Sequence, residues 1–582
     1  MIYDKKKDLT PQNTVENIKS ILQDIGIPPL EEMCMERIIN DHVTESIFLK
    51  LPNDMTVTAN GKGTNYEYAL ASAYGEFMER LEVGNLFPIT PPDQIKITPK
   101  ELISKGYLNF WFNEDLKKVE KYVNIAVDVC CNYTNYINKE EKTAELLPFY
   151  HVNKDEISYI SPNLLQYTGG FTGSCAGNTP YEALVEGLSE VFERHIIRKA
   201  IKEPISFPDI PEEFYLKYES IKRIIEYCRK LGFKVVVKDA SLGKKYPVAC
   251  AVLLDEKTNG YYVWFGAHPS LPIAIERCFT EIFQGADFSN KNYVNALFKF
   301  SGRRDNIIPD ARMDNAFNHR FLEVNAVFFS KKPDYLFSYD DWKENESISN
   351  KDLFKNMIKI LTDKKIDVFI RDISFLNFPA YIICVPKLIS TLNNIDISSG
   401  IDIRNNYYKT VRVIGENIPI NLTPQEVLDF FEYAFHLQML MKNDYKNFEL
   451  VYIITLLKTK QYQKILNIIT PLKNSFKYSK YKKMFLFLND YINAKFQNIY
   501  NTEYENNLYK KYGKHFVKKL IEIFDTEDSF QNAINMLKKH KFYYLKHITE
   551  ENINRKKYIS EKILKKYKEN TPNQKLVKNL FN

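Results

Sequence analysis

The sequence predicts a mixed α/β domain with largely antiparallel sheets and packed helices, followed by an all-helical, repeat-like domain. Three observations predict it. β-branched and aromatic runs bounded by glycine, proline, asparagine or charge recur in the first 420 residues. Amphipathic stretches of helical period punctuate them. Beyond Pro424 the composition shifts and nearly every segment reads as helix. At 582 residues the chain is too long for one simple core, so two or three domains are expected, and the composition shift places two, 1–420 and 421–582.

In chain order, "TVENIKSILQDI" (14–25) reads as an amphipathic helix stopped by "GIPP". Strand candidates follow: "NIAVDVCC", "KVVVKDAS", "PVACAVLLD", "GYYVWFGA", "DVFIRDIS" and "AYIICVP". Helices are expected at roughly 65–84, 180–201, 218–231, 271–284 and 351–363. That order indicates α/β or α+β architecture with substantial antiparallel pairing. In the tail, "PQEVLDFFEYAFHLQML", "NFELVYIITLLKT", "YQKILNIITPLKN", "YKKMFLFLNDYINAKF" and "DSFQNAINMLKKH" are joined by short lysine- or asparagine-rich links. Stacked helical hairpins explain this spacing, although no strict consensus repeats.

Composition excludes several classes. The net charge of +7 is a small excess of 80 basic over 73 acidic residues, with no long basic run, so no direct nucleic-acid partner is expected. The start "MIYDKKKDLTPQ" has no apolar core behind its lysines and reads as no signal peptide. No stretch reaches the roughly 18 apolar residues of a membrane span. Eight cysteines form no CxxC pair, and the adjacent Cys130 and Cys131 cannot staple each other locally. Reduced thiols in a cytoplasmic protein are the expectation. Nine histidines show neither HExxH nor a structural zinc spacing.

Three helices share one pattern. In "GKGTNYEYALASAYGEFMERLE", Thr64 and Glu67 read as a capping box, and Ser72, Glu76 and Glu79 follow at i, i+4 and i+7 on one face beside Arg80. Gly61, Lys62 and Gly63 read as a small flexible basic turn without Walker A spacing. In "GNTPYEALVEGLSEVFERHI", Thr179, Pro180 and Glu182 suit N-cap, N1 and N3, so capping alone explains Glu182. Capping does not explain Glu186, Glu190 and Glu193, beside Arg194. Like charges at i, i+4 cost a few tenths of a kcal/mol in water. In "HPSLPIAIERCFTEIFQG", Pro272 suits the first turn and Gly285 the end, while Arg277, Glu281 and Gln284 repeat the column. A solvated face explains any one column; three columns separated by small residues favour convergence. Converging carboxylates repel and call for a hard divalent cation such as Mg2+, which commonly carries phosphates. The arginines suit phosphate oxygens. The prediction is a nucleotide–magnesium site without a glycine-rich phosphate loop.

These three motifs, in this order and separation, resemble the YcaO family over roughly residues 1–420, and the helical tail resembles the tetratricopeptide-like extension of its longer bacterial members. The resemblance implies ATP- and Mg2+-dependent work on peptide backbones: azoline, thioamide or amidine formation by attack on an amide carbonyl and phosphorylation of its oxygen. It implies nucleotide and magnesium roles for Ser72, Glu76 and Glu79, for Asn178, Glu182, Glu190, Glu193 and Arg194, and for Arg277 and Glu281. Lys7 and Thr14 fall where members place a lysine and a hydroxyl near the nucleotide. Glu76, Glu79, Glu190, Glu193 and Glu281 are the expected metal ligands.

Two departures bear on function. Cys175 stands in "GSCAGNT" where close relatives commonly have serine. The chain closes on "QKLVKNLFN" and not on the proline-rich tail of azoline-forming members, which argues against azoline synthesis. The long bacterial type is linked to ribosomal modification, as an accessory to β-methylthiolation of an aspartate in a small-subunit ribosomal protein. Expected partners are therefore a peptide or protein substrate, a ribosomal protein or its methylthiolation enzyme, and a second copy of the chain. Nucleophile and general base stay unassigned, since His195 suits packing as well as catalysis. Two further readings stay open: an ATP-binding accessory protein that recruits the modifying enzyme, and a divalent-metal phosphate-ester hydrolase.

Overall fold

The computed structural model describes residues 5–34, 44–112, 120–131, 143–284, 326–389, 453–469, 482–529 and 550–581, apart from a few positions within those ranges. Helix α1 (Pro11–Asp24) starts at Thr10, whose side chain accepts from the Asn13 amide, with proline in the first turn. It buries Val15, Ile18 and Leu22. Strands β1 (Glu31–Cys34), β2 (Glu45–Leu51) and β3 (Asp54–Gly63) form an antiparallel meander in that order. Alternation along β2 sends Ile47, Leu49 and Leu51 inward.

The segment Gly61-Lys62-Gly63, read from sequence as a flexible turn, is the end of β3, paired with Ser46 and its neighbours on β2. Its glycines serve packing. Helix α2 (Tyr66–Glu82) lies so close that a Cβ on Gly61 would stand 2.1 Å from the Ala69 carbonyl oxygen and 2.2 Å from the Ala73 nitrogen. The cap of α2 is Asn65, accepting from the Tyr68 amide, and not the expected Thr64–Glu67 box.

The second sheet has the order β4 (Ile95–Ile97), β5 (Ala144–His151), β11 (Phe369–Asp372), β12 (Ala380–Cys384), β7 (Ser174–Ala176), with β6 (Glu156–Ile160) hairpinned onto β5. The third is β10 (Gly260–Ala267), β9 (Val248–Asp255), β8 (Lys234–Asp239). Every pairing is antiparallel. The predicted strand "NIAVDVCC" is instead the second half of helix α3 (Glu120–Cys130). Val123, Ala126 and Cys130 are buried at helical spacing while Asn124 is exposed, a distinction that a short apolar run conceals.

Helix α4 (Pro180–Lys202) packs on β7 and β12 on one side and on β9 and β10 on the other, joining two sheets into one core. Helices α5 (Glu219–Lys230) and α6 (Leu271–Phe283) cover the third sheet, and α7 (Asn350–Thr362) runs against α4.

At the C-terminal end, α8 (Lys482–Phe496), α9 (Thr502–Tyr512) and α10 (Lys514–Asp525) share a hydrophobic cluster with residues 453–469. The last helix, α11 (Glu550–Glu569), packs elsewhere. Its Ile559, Ile563 and Tyr567 enter the core formed by α1, α2 and the first sheet, where Tyr567 stacks on Phe375 at 4.0 Å. Lys556 pairs with Asp54 at 2.8 Å, both buried. A terminal 3-10 segment, Gln574–Phe581, lies on β5 and β11, and Val577 joins the large core. The predicted 421–582 unit therefore loses its final stretch to the α/β body, because the apolar stripe of α11 fits that core. The predicted boundary at 420/421, the helix at 424–440 and Gly285 lie outside the described residues.

Candidate functional site

The strand–helix units β3–α2 and β10–α6 are built alike. A Cβ on Gly266 would meet the Ala274 carbonyl oxygen at 2.3 Å and the Cys278 nitrogen at 2.6 Å, as Gly61 does with Ala69 and Ala73. In the β7–α4 unit the roles are exchanged: the helix carries Gly187, and Cys175 Sγ lies 2.7 Å from where its Cβ would be. Counted from these contacts, residues 72, 76 and 79 of α2 correspond to 186, 190 and 193 of α4 and to 277, 281 and 284 of α6.

The columns converge. Burial, then the charges of Glu190 and Glu76, push the Glu79 carboxyl well above the ordinary range. Burial raises Glu193 to about 7, with Arg194 opposing and Glu281 adding to the rise. Cys175 stands among the same acids: burial first, then Glu79, Glu190 and Glu186, hold its thiol protonated. Acids from α2, α4 and α6 thus share one field although they lie far apart in sequence.

Each acid is partly compensated. Arg80 pairs with Glu76, which also accepts from the Asn60 amide at 3.0 Å. Glu190 accepts from the Gly173 amide at 3.1 Å and lies 3.6 Å from Arg194. Lys62 pairs with Glu281. No group of three or more His, Cys, Asp or Glu among the described residues stands in a metal-binding arrangement in this conformation. In this conformation Lys62 and Arg80 occupy carboxylate oxygens of Glu281 and Glu76.

The chain start crosses the same site. Lys7 Nζ lies 2.7 Å from Glu186 and 3.5 Å from Glu182, and Arg277 pairs with Glu186 from the other side. Burial alone would raise the Glu186 carboxyl, but Arg277 and Lys7 outweigh it and hold it well below the ordinary range. Glu182 does not return to its helix cap. Its oxygens receive the Asp8 amide at 2.9 Å and Asn178 Nδ2 at 3.1 Å. The Thr14 hydroxyl lies 2.9 Å from both Asn178 Oδ1 and the Thr10 carbonyl. Lys6, with φ 58°, donates to the Ile348 carbonyl, and Asn350 Nδ2 donates to the Lys6 carbonyl. Lys5 pairs with Glu276 on α6.

Of the predicted residues, Lys7, Thr14, Glu76, Glu79, Asn178, Glu182, Glu190, Glu193, Arg194, Arg277 and Glu281 gather here. Ser72 is on the same face of α2 but exposed, with no side-chain hydrogen bond to the others among the described residues. Sequence reasoning missed Lys5, Glu276 and His268, read Lys62 only as part of a basic turn, and left Glu186 without a role. The column spacing flagged Glu186 without giving it a partner; the others are single residues whose partners are remote in sequence.

A family model described as YcaO cyclodehydratase, ATP- and Mg2+-binding, matches residues 60–389. An uncharacterised protein of Haemophilus influenzae is 30% identical over 347 residues, 57% of this chain and 57% of that protein. The Escherichia coli ribosomal protein S12 methylthiotransferase accessory factor YcaO is 27% identical over 405 residues, 66% of this chain and 65% of that protein. The matches thus span less than two thirds of these relatives' lengths. Among solved structures, a heterocyclase in complex with substrate and cofactor aligns over 67% of this chain and 54% of its own, at 16% identity and TM-score 0.47. YcaO from Methanopyrus kandleri, bound with AMPPCP and Mg2+, aligns over 66% of this chain and 94% of its own, at 16% identity and TM-score 0.40. Among the described residues no helix is long and apolar enough to cross a membrane.

Proposed function

The chain belongs to the YcaO family of ATP- and Mg2+-binding enzymes, and from that premise we propose that it activates backbone amides of a peptide or protein substrate at the site formed by α2, α4 and α6. One observation carries the reading: Glu190 lies in the field of both Glu79 and Glu193, Glu281 lies in that of Glu193, and burial with these neighbouring charges raises the carboxyls of Glu79 and Glu193. A divalent cation relieves that repulsion, and hard carboxylate oxygens are the donor set Mg2+ prefers. The residues present fit the group. ATP supplies the γ-phosphoryl that turns an amide oxygen, after a nucleophile has added, into a leaving phosphate.

The chain's own residues divide the remaining work. Glu76, Glu79, Glu190, Glu193 and Glu281 would hold the magnesium. Arg194, Arg277 and Lys7 would hold phosphate oxygens, the two guanidiniums through paired N–H donors. Asn178, Glu182, Thr14 and Ser72 would complete the nucleotide pocket. Lys62 and Arg80 neutralise Glu281 and Glu76 until the cation arrives. Carboxylates engaged by metal are poor bases, and His195, lowered to about 4 by burial and by Lys199, stays neutral in its helix. Neither is assigned as general base.

The likeness to the Escherichia coli accessory factor supports ribosomal protein as the substrate class and a methylthiolation enzyme as a partner. It also supports a second reading, in which bound ATP signals while the helical region, α8 to α10, recruits that enzyme. Steady-state ATP consumption separates the two. Turnover that rises with added ribosomal-protein peptide supports amide activation. ATP binding with negligible turnover until a partner protein is added supports the accessory role.

A further inference from the structure

His268 follows β10 directly and opens the turn into α6. Its backbone amide donates to the Pro247 carbonyl at 2.9 Å, which extends the strand pairing by one residue. The side chain is 2% exposed. Its Nδ1 accepts from the Ser270 amide at 2.9 Å, at the N-terminus of α6. An acceptor nitrogen carries no proton, so the ring is neutral and its proton sits on Nε2. Burial, with Arg277 next, holds His268 well below its ordinary value, in agreement with a neutral ring.

Among the described residues nothing accepts from the Nε2–H. The ring is nearly enclosed, but its Nε2 is not sealed, so a ligand can reach this donor and complete its bonding. The surroundings specify that ligand. His268 is within electrostatic reach of Lys6, Lys7, Arg277 and Glu186. Arg277 Nη1 is anchored 2.7 Å from the Ala267 carbonyl, in the residue before His268, so guanidinium and imidazole are set by the same turn. Lys6, Lys7 and Arg277 face Glu186, with Glu182 3.5 Å from Lys7, which leaves one positive charge in excess, and the N-terminus of the 13-residue α6 adds to it.

We propose that His268 is a further binding residue of the nucleotide site, donating its Nε2–H to an anionic oxygen of the phosphate chain faced by Lys7 and Arg277. The inference rests on the nucleotide reading above and adds to it a neutral donor. A neutral ring can stay buried when the site is empty, where another cation would cost more.

Two substitutions separate this role from a structural one. Asparagine places an amide oxygen near the Nδ1 position, keeps the acceptor for Ser270, and lacks the Nε2 donor. Glutamine places an amide N–H near Nε2 and gives up the Nδ1 acceptor. Mg–ATP titrations by calorimetry, with melting curves for each protein, form the test. His268→Asn should melt as the wild type does and bind ATP about tenfold more weakly. His268→Gln should bind within about threefold of wild type even if it melts earlier. The reverse order, weak binding by the glutamine variant and full binding by the asparagine variant, would reduce His268 to a helix cap and overturn the proposal. Wild-type protein that binds no ATP would instead overturn the nucleotide reading itself.

Discussion

At the scale of single residues, the site's acids fall into two electrostatic classes. Glu186 is held ionised by Arg277 and Lys7, whereas Glu79 and Glu193 are pressed toward protonation by burial and then by neighbouring acids, Glu190 and Glu76 for the first and Glu281 and Glu190 for the second. Only the second class gains from an added cation. Glu190→Gln and Glu193→Gln should therefore weaken Mg–ATP binding by about tenfold or more while leaving the melting midpoint equal or higher; calorimetry and thermal melts check both. Arg277→Ala should weaken nucleotide binding and also free Glu186 to titrate nearer its ordinary range.

Glu82, one helical turn from Glu79, pairs with no cation among the described residues. It is buried, accepts from the Leu376 amide at 3.0 Å, and its Oε2 has no hydrogen-bond partner among the described residues. Burial pushes its carboxyl well above the ordinary range, with the Leu376 amide opposing and Asp372 adding to the rise. For an acid raised on folding, the stabilisation is complete below the unfolded value and fades as pH climbs through the folded one. Glu82→Gln keeps the acceptor for Leu376 and removes that loss. The variant should gain about 2 °C over wild type at pH 8 and little at pH 5. A lower midpoint at pH 8 would contradict the assignment.

At the scale of elements, the acid columns were legible because i, i+4, i+7 spacing survives any packing detail. The strands of the third sheet, and β11 and β12 of the second, were legible from their β-branched runs, whereas β5, the longest strand of the second sheet, was missed because "AELLPFYH" has no β-branched residue and carries a proline. Strands β1 and β4 are short and largely unburied, so they carry no such run. Gly61 was misread because close approach of a helix to a strand end is a fact about two elements, while a glycine pair in sequence reads as a turn. The packing gives a paired prediction. Gly61→Ala forces a Cβ into backbone atoms that cannot yield, and should cost about 2 kcal/mol or more. Gly75, in α2 with nothing within 4 Å of its would-be Cβ, should gain about 0.5–1 kcal/mol as alanine. Denaturant melts of both variants check the contrast.

At the scale of the whole molecule, the last described residues close the first domain. Arg371, fully buried, holds Asp93 through both its oxygens at 2.7 and 2.9 Å and reaches the Tyr567 hydroxyl at 3.0 Å. The Gln574 side chain accepts from the Asp372 amide and donates to its carbonyl, both at 2.8 Å. Tyr181, in the first turn of α4, donates to the Leu580 carbonyl. None of this was visible in sequence, where residues 421–582 read as one helical unit. A protein truncated after residue 420 loses these contacts and should fail to melt cooperatively. Lys556→Met, which strands buried Asp54, should cost about 3–5 kcal/mol in the full chain. A truncated protein that melts cooperatively and binds ATP would contradict this closure.

The measurement that bears most directly on the central claim is ATP titration of the full chain with and without Mg2+, repeated on Glu190→Gln. Carboxylates gathered from α2, α4 and α6 predict binding that requires Mg2+ in the wild type and is lost or severely weakened in the variant. Binding that is indifferent to Mg2+ and unchanged by the substitution would contradict it.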